Sequence, residues 1–185
     1  MSPQVGVAYG RAGQLSTFNK VFILDMLVRQ GEYDVVFYLD ADALVVNPAF
    51  RVEDVAPGWA MLTACQGGTS ATWNMNIGVF IWNLRHPRTP SFVAAWRDAS
   101  VRAIWWNRKD DQNIIHRLLR EMPEDERAGM VDLKTGPEYD LFNYSGPNVY
   151  HFMRESSRDW TGNSVEGRVQ HMQAIIRDKN LPTLD

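Results

Sequence analysis

The chain carries a single cysteine, Cys65, among 185 residues. No internal disulfide is available, so the sequence is compatible with a reducing compartment. Long apolar runs are also missing. None approaches the ~18 residues needed to cross a bilayer, so no membrane span is expected. The opening MSPQVGVAYGRAGQ has no charged segment followed by an apolar one, so no signal peptide is visible. A cytoplasmic setting is the expectation, with a lumenal domain cut from a longer anchored protein as the alternative. A basic excess is absent too: 19 Lys and Arg against 22 Asp and Glu give a net charge of -3. Nucleic acid, which needs a basic face, is therefore not an expected partner. No repeat, linker or low-complexity stretch divides the chain. Its length suits one domain, residues 1 to 185, around a single core.

What is present is an alternation of strand-like and helix-like segments. STFNKVFILDMLVRQG, from Ser16, is predicted to be a helix capped by Ser16 or Thr17, with Phe18, Phe22 and Met26 on one face. Gly31 is expected to end it. Tyr33 to Leu39 is a continuous apolar and aromatic run, the pattern of a strand buried on both faces. Leu44 to Val46 is apolar again and stops at Asn47-Pro48, a turn signal. Further strands are expected over Trp59 to Cys65, Asn76 to Trp82, Met130 to Leu133 and Asn148 to Phe152, with a short candidate at Val5 to Tyr9. Helices are expected at about 90 to 104, with Phe92, Trp96, Ala99 and Ala103 on one stripe. Two more are expected over Asp110 to Glu121 and over residues 164 to 178. In the first, Ile114, Ile115, Leu118 and Leu119 point inward; in the second, Val165, Val169, Met172 and Ile176 share a face. Gln66 to Met75 and Pro123 to Ala128 read as loops. This order predicts an α/β fold with a mostly parallel sheet flanked by helices. Ligands in such sheets sit outside the carboxyl ends of the strands.

One segment breaks the pattern. VVFYLDADALVVNP (35 to 48) runs apolar residues into Asp40-Ala41-Asp42 and then resumes an apolar run. A carboxylate in a core segment is costly unless it is paired or bound to a cation. Two aspartates at a strand mouth can surround one hard cation such as Mg²⁺ or Mn²⁺. The plain alternative is a turn cap beside a solvated carboxylate. A sharper rival is a haloacid-dehalogenase-type phosphatase with Asp40 as nucleophile. That pattern wants Thr or Val where Leu44 stands, and a strand before the acidic pair where IWWNRK precedes Asp110-Asp111.

YDVVFYLDADALVVNP resembles the metal-binding segment of GT-A-fold glycosyltransferases. FNKVFILDMLVRQGEYDVVFYLDADALV is similar to the retaining nucleotide-sugar transferases related to the fungal galactosyl- and mannosyltransferases and the glycogenin-like enzymes. Asn76-Ile77-Gly78-Val79 resembles their N-x-G-V strand start, Asp111-Gln112 their D-Q motif, and His151 their late histidine. The likeness covers about residues 16 to 160 in matching order. It implies a GT-A-like, Rossmann-like domain that moves a sugar from a nucleoside-diphosphate sugar, UDP-sugar favoured, to a glycan or other hydroxyl acceptor, with retention. It implies Mn²⁺ or Mg²⁺ held by Asp40, Asp42 and His151, with Asp42 the most direct ligand. Lys20, Asp40, Asn76 and Gly78 would contact the donor. Asp111 and Gln112 would act at the sugar's far side, the carboxylate or amide facing an oxocarbenium-like transition state or serving as nucleophile. Trp73 and the Trp105-Trp106 pair are candidates for stacking on an acceptor sugar or for ordinary core. His86, His116 and His171 join no motif.

Two departures accompany the likeness. Relatives with HxxGxxKPW place Gly and Lys after the histidine, whereas this chain reads HFMRESSRDW. Arg154 stands where the Gly would be, and Arg158 is the other candidate for the phosphate charge. About 15 residues precede the first helix, too few for the usual opening βα unit that cradles the base. A front end shortened at the N-terminus, or a degenerate sugar- or nucleotide-binding module, is the matching expectation.

Overall fold

A computed structural model describes residues 16–105, 111–135, 144–152 and 165–181. Its main sheet has four strands in the order β1-β4-β3-β5. They are β1 (Val35–Leu39), β3 (Leu62–Gln66), β4 (Met75–Asn83) and β5 (Val131–Lys134). β3 and β5 pair in parallel, and β4 is antiparallel to both β1 and β3. Three strands therefore share one direction and β4 runs against them. The α/β class is as expected, but the mostly parallel pairing is corrected: with β4 reversed between β1 and β3, only the β3–β5 ladder is parallel among the described residues. The reversal has a consequence for function: the start of β4 lies beside the end of β1, with Val79 opposite Leu39.

Helices α1 (Asn19–Gln30), α2 (Thr89–Trp105) and α3 (Asp111–Glu121) cover one face of the sheet. The core between them includes Val21, Leu24, Leu62, Phe80, Trp82, Trp96 and Ile115. Trp82 stacks on Trp96 at 5.7 Å, and its indole N–H donates to Thr89 Oγ1 at 3.2 Å. On the other face Cys65, Val79, Ile81 and Val149 form a smaller cluster. A second, antiparallel sheet lies there in the order β2-β7-β6, from β2 (Ala43–Val45), β6 (Tyr144–Ser145) and β7 (Val149–His151). Helix α4 (Glu124–Ala128) precedes β5, and α5 (Val165–Asp178) ends the described chain. No described helix is long and apolar enough to cross a membrane.

Several local expectations are corrected. A 3-10 turn, Ser16–Phe18, precedes α1, and Phe18 occupies the N-cap without a side-chain cap bond. The inner stripe of α1 is Phe18, Val21 and Leu24, whereas Met26 is 46% exposed. Gly31 ends α1 as expected, with φ 67° and its N–H donating to Leu27 O at 3.2 Å. β1 starts at Val35 rather than Tyr33 and is only half-buried, because its second edge has no strand among the described residues. β3 starts at Leu62, with Trp59 exposed. Glu124–Ala128 is a short helix rather than a loop; three acidic residues in its first turn favour the helix dipole. Val169 of α5 faces solvent. Val5 to Tyr9 lies outside the described residues.

Candidate active site and metal centre

The two aspartates sit where the chain changes sheets. Asp40 N–H donates to Gly78 O at 2.7 Å, the last backbone bond of β1 to β4. Ala43 N–H then donates to Asp40 O at 2.9 Å, and the chain turns into β2. The apolar run ahead of the aspartates belongs to the main sheet and the run behind them to the small one. β7 pairs with β2 and places His151 opposite Ala43. Phe152 N–H donates to Asp42 O at 2.8 Å and locks that register.

One potential ligand atom from each of Asp40, Asp42 and His151 lies within 4.8 Å of the others. His151 Nε2 is 3.4 Å from Asp42 Oδ1. The imidazole is 5% exposed, and its Nδ1 has no hydrogen-bond partner among the described residues. Two carboxylates and one imidazole this close together could hold a divalent cation. Gly78 permits the approach. A Cβ there would overlap the imidazole, 2.6 Å from its Nε2, and lie 2.9 Å from Asp40 Oδ2. Glycine is required by space, since the backbone here comes directly against the ligand side chains.

β4 is shaped for this. β3 switches from pairing with Phe80 to pairing with Asn76 in one step, so Ile77, Gly78 and Val79 bulge out of that ladder. Bulges of this kind re-aim side chains next to functional sites. Asn76 Oδ1 accepts from Gly78 N–H at 2.8 Å, and Gln112 Oε1 accepts from Ile77 N–H at 3.3 Å. His116 Nε2 lies 3.2 Å from Met75 N and 2.8 Å from Met75 O, which pins the strand's start. Asn76 and Gln112 thus hold the backbone of the bulge beside the carboxylates.

Lys20 joins the two acidic groups. Its ammonium lies 3.1 Å from Asp40 Oδ1, 3.2 Å from Asp111 Oδ2 and 3.2 Å from Ile77 O. One hydrogen bond, to the Ile77 carbonyl, and two ion pairs surround the ammonium. Lys20 is buried, so these contacts also answer how a lysine is tolerated there. Asp111 opens α3 and is buried. Burial pushes its carboxyl above the ordinary range; Lys20 opposes this, and Asp40 adds to it. The Lys20 contact is an ion pair without hydrogen-bond alignment, so Asp111 Oδ2 has no hydrogen-bond donor among the described residues.

Two site residues were not anticipated. Tyr38 hydroxyl donates to Asp40 Oδ1 at 2.6 Å. Burial, then the bond to Asp40, raises its pKa far above the ordinary value, so it is a neutral donor. A signal existed, because residues two apart on a strand share a side. Arg168 of α5 lies with Nη1 2.6 Å from Asp42 Oδ2. Nothing in the sequence pointed to it across 126 positions. Burial pushes the Asp42 carboxyl up, but His151 and Arg168 outweigh it and hold the group below its ordinary range. Trp73 packs against the core and lies edge-on to His116 at 5.6 Å, so it is a packed side chain. Trp105 is 84% exposed. Arg154, Arg158, Trp106 and Asp110 lie outside the described residues.

Sheet order, the reversed β4 and the flanking helices define a mixed α/β fold of the GT-A kind. Among solved structures, a glycosyltransferase involved in the glycosylation of the major capsid of PBCV-1 is similar in fold. The TM-score is 0.60 at 13% identity, covering 94% of this chain and 81% of that one. No protein-family pattern matches the chain, and no curated protein matches it in sequence.

Proposed function

We propose that the chain is a metal-dependent glycosyltransferase. It moves a sugar from a nucleoside-diphosphate sugar, a UDP-sugar in the favoured case, to a hydroxyl of a glycan or other acceptor, with retention. The observation that carries this is the convergence of Asp40, Asp42 and His151 at one strand mouth, inside a fold shared with a glycosyltransferase. Those three residues would hold Mn²⁺ or Mg²⁺. A bound divalent cation supplies positive charge that offsets the departing diphosphate.

The chain's own residues do the rest. Tyr38 and Lys20 fix Asp40 from two sides. Gly78 lets the imidazole and the carboxylates close on one point. Asp111 stands beyond Lys20, and in this reading its carboxylate faces the positive charge that develops on the sugar ring. Gln112 holds the Ile77 backbone, which in this reading forms part of the sugar pocket. A cytoplasmic setting goes with this reading, since the buried thiol of Cys65 calls for no oxidising compartment. The phosphatase and the non-catalytic module stand as outcomes of the test.

Calorimetry with UDP and GDP, with and without Mn²⁺, decides between them. The expected result is metal-dependent nucleotide binding that Asp42→Ala abolishes. Intact metal binding with no nucleotide binding would sink the transferase and favour a binding module. A phosphoryl mimic trapped at Asp40 would point to the phosphatase.

A further inference from the structure

Asp42 divides its two oxygens between two partners. Oδ1 faces His151 Nε2, on the side of the candidate cation. Oδ2 takes the guanidinium of Arg168. Arg168 has one bond in that contact, and its other N–H donors have no partner among the described residues. Guanidinium carries five N–H donors in a planar fork suited to phosphate oxygens. Its side chain is 13% exposed, so the charge acts in a partly dehydrated setting where Coulomb interactions exceed those in bulk water.

The charge balance gives this contact a consequence. Three carboxylates, Asp40, Asp42 and Asp111, face two cationic side chains, Lys20 and Arg168. Lys20 meets three acceptor oxygens within the protein, whereas among the described residues Arg168 meets Asp42 alone. A divalent cation entering the cluster meets a site already partly neutralised at Asp42. An anionic diphosphate entering afterwards meets a surplus of positive charge.

We infer that Arg168 couples cation binding to diphosphate binding: it opposes the cation while it holds Asp42 alone and contacts the donor's phosphate oxygens once both are bound. This rests on the transferase reading above. Such coupling is reciprocal, so the cation and the nucleotide each raise the other's affinity by the same factor. It also guards the site against a cation without a donor.

The test measures Mn²⁺ affinity in the absence of nucleotide, by electron paramagnetic resonance of free Mn²⁺, and UDP and GDP affinity at saturating Mn²⁺. The proteins are wild type, Arg168→Met, Arg168→Gln and Arg168→Lys, each checked for folding by circular dichroism. The Gln variant keeps a donor for Asp42 without the charge, so it separates charge from packing if the Met variant folds poorly. Both neutral variants are expected to bind Mn²⁺ about three- to tenfold more tightly and nucleotide about three- to tenfold less tightly. The Lys variant is expected to restore the wild-type direction of both. Weaker Mn²⁺ binding in Arg168→Gln would mean that the residue serves only to orient Asp42, and would overturn the coupling. Unchanged nucleotide affinity would overturn it as well. If wild type binds neither UDP nor GDP with Mn²⁺, the transferase reading itself fails, a result distinct from either.

Discussion

The two aspartates of one short motif live in different surroundings. Asp40 is held from the helical side of the sheet, by Tyr38 and by a lysine whose partners are all protein. Asp42 is held from the small-sheet side, by His151 and by Arg168, whose one partner among the described residues is Asp42. The Lys20 flank is built before any ligand arrives. The Arg168 flank is the side proposed to meet one. The acids of the two flanks are also shifted in opposite senses. Asp111 lies above its ordinary range because burial wins, and Asp42 lies below because its charged partners win. A carboxylate's neighbours, more than its place in a motif, decide which way it moves.

The comparison can be broken most forcefully at Lys20. Lys20→Met leaves Asp111 buried without its compensating cation, which costs about 3–5 kcal/mol by analogy with broken buried ion pairs. Urea denaturation should show that loss, and a variant as stable as wild type would contradict the prebuilt flank. Gly78→Ala comes next. Its methyl must displace the imidazole or the bulge, at about 1–3 kcal/mol, and Mn²⁺ affinity should fall with it. A crystal of that variant with an unmoved His151 would remove the steric argument. His151→Ala should weaken Mn²⁺ binding by at least about tenfold, with a smaller effect on stability, because it removes one donor in three. Calorimetry against Mn²⁺ reads both this variant and Gly78→Ala.

The smallest effects concern pH and sharpen the contrast. An acid whose folded pKa is raised holds its proton more tightly when folded. Stability from Asp111 is therefore highest in acid and falls as pH rises from 3.8 through the raised folded value. Asp111→Asn should flatten that slope and melt at or above the wild-type temperature at neutral pH, while losing the proposed activity. Asp42 has the opposite sign. Its contribution is present above 3.8 and is lost as pH falls through the lowered folded value. Asp42→Asn should lower the melting temperature at neutral pH, and the gap to wild type should close in strong acid. Melting curves across pH on both variants would read these slopes, and slopes of the same sign would erase the distinction between the flanks.

Much of the site could be read before the fold was known, residue by residue. Asp40, Asp42 and His151 belong to chemically marked patterns, and strand ends are where α/β sheets keep their ligands. Lys20 could be picked as basic and one helix upstream, but its partners could not. Its ammonium meets Asp111 across 91 positions of chain only because α1 and α3 pack on the same face of the sheet. Of the stripe expected on α1, Phe18 is buried and Phe22 packs against the core while Met26 is exposed, because a helix carrying apolar residues on several faces leaves the choice to its neighbours. β1 read as buried on both sides, yet it is half-buried at an edge. A run of apolar residues reports hydrophobicity and carries no count of neighbouring strands.

By itself the sequence determined most of the elements and the residue types at their ends. Apolar periodicity, Gly31 at a helix end and carboxylates after a strand are local, and local preference is written in neighbouring residues. Only the tertiary structure decided that β4 runs backwards, that it bulges at Gly78, and that Arg168 reaches Asp42. Each of these depends on which distant segments bury surface together, and that is settled by packing the whole chain into one core rather than by any stretch of it.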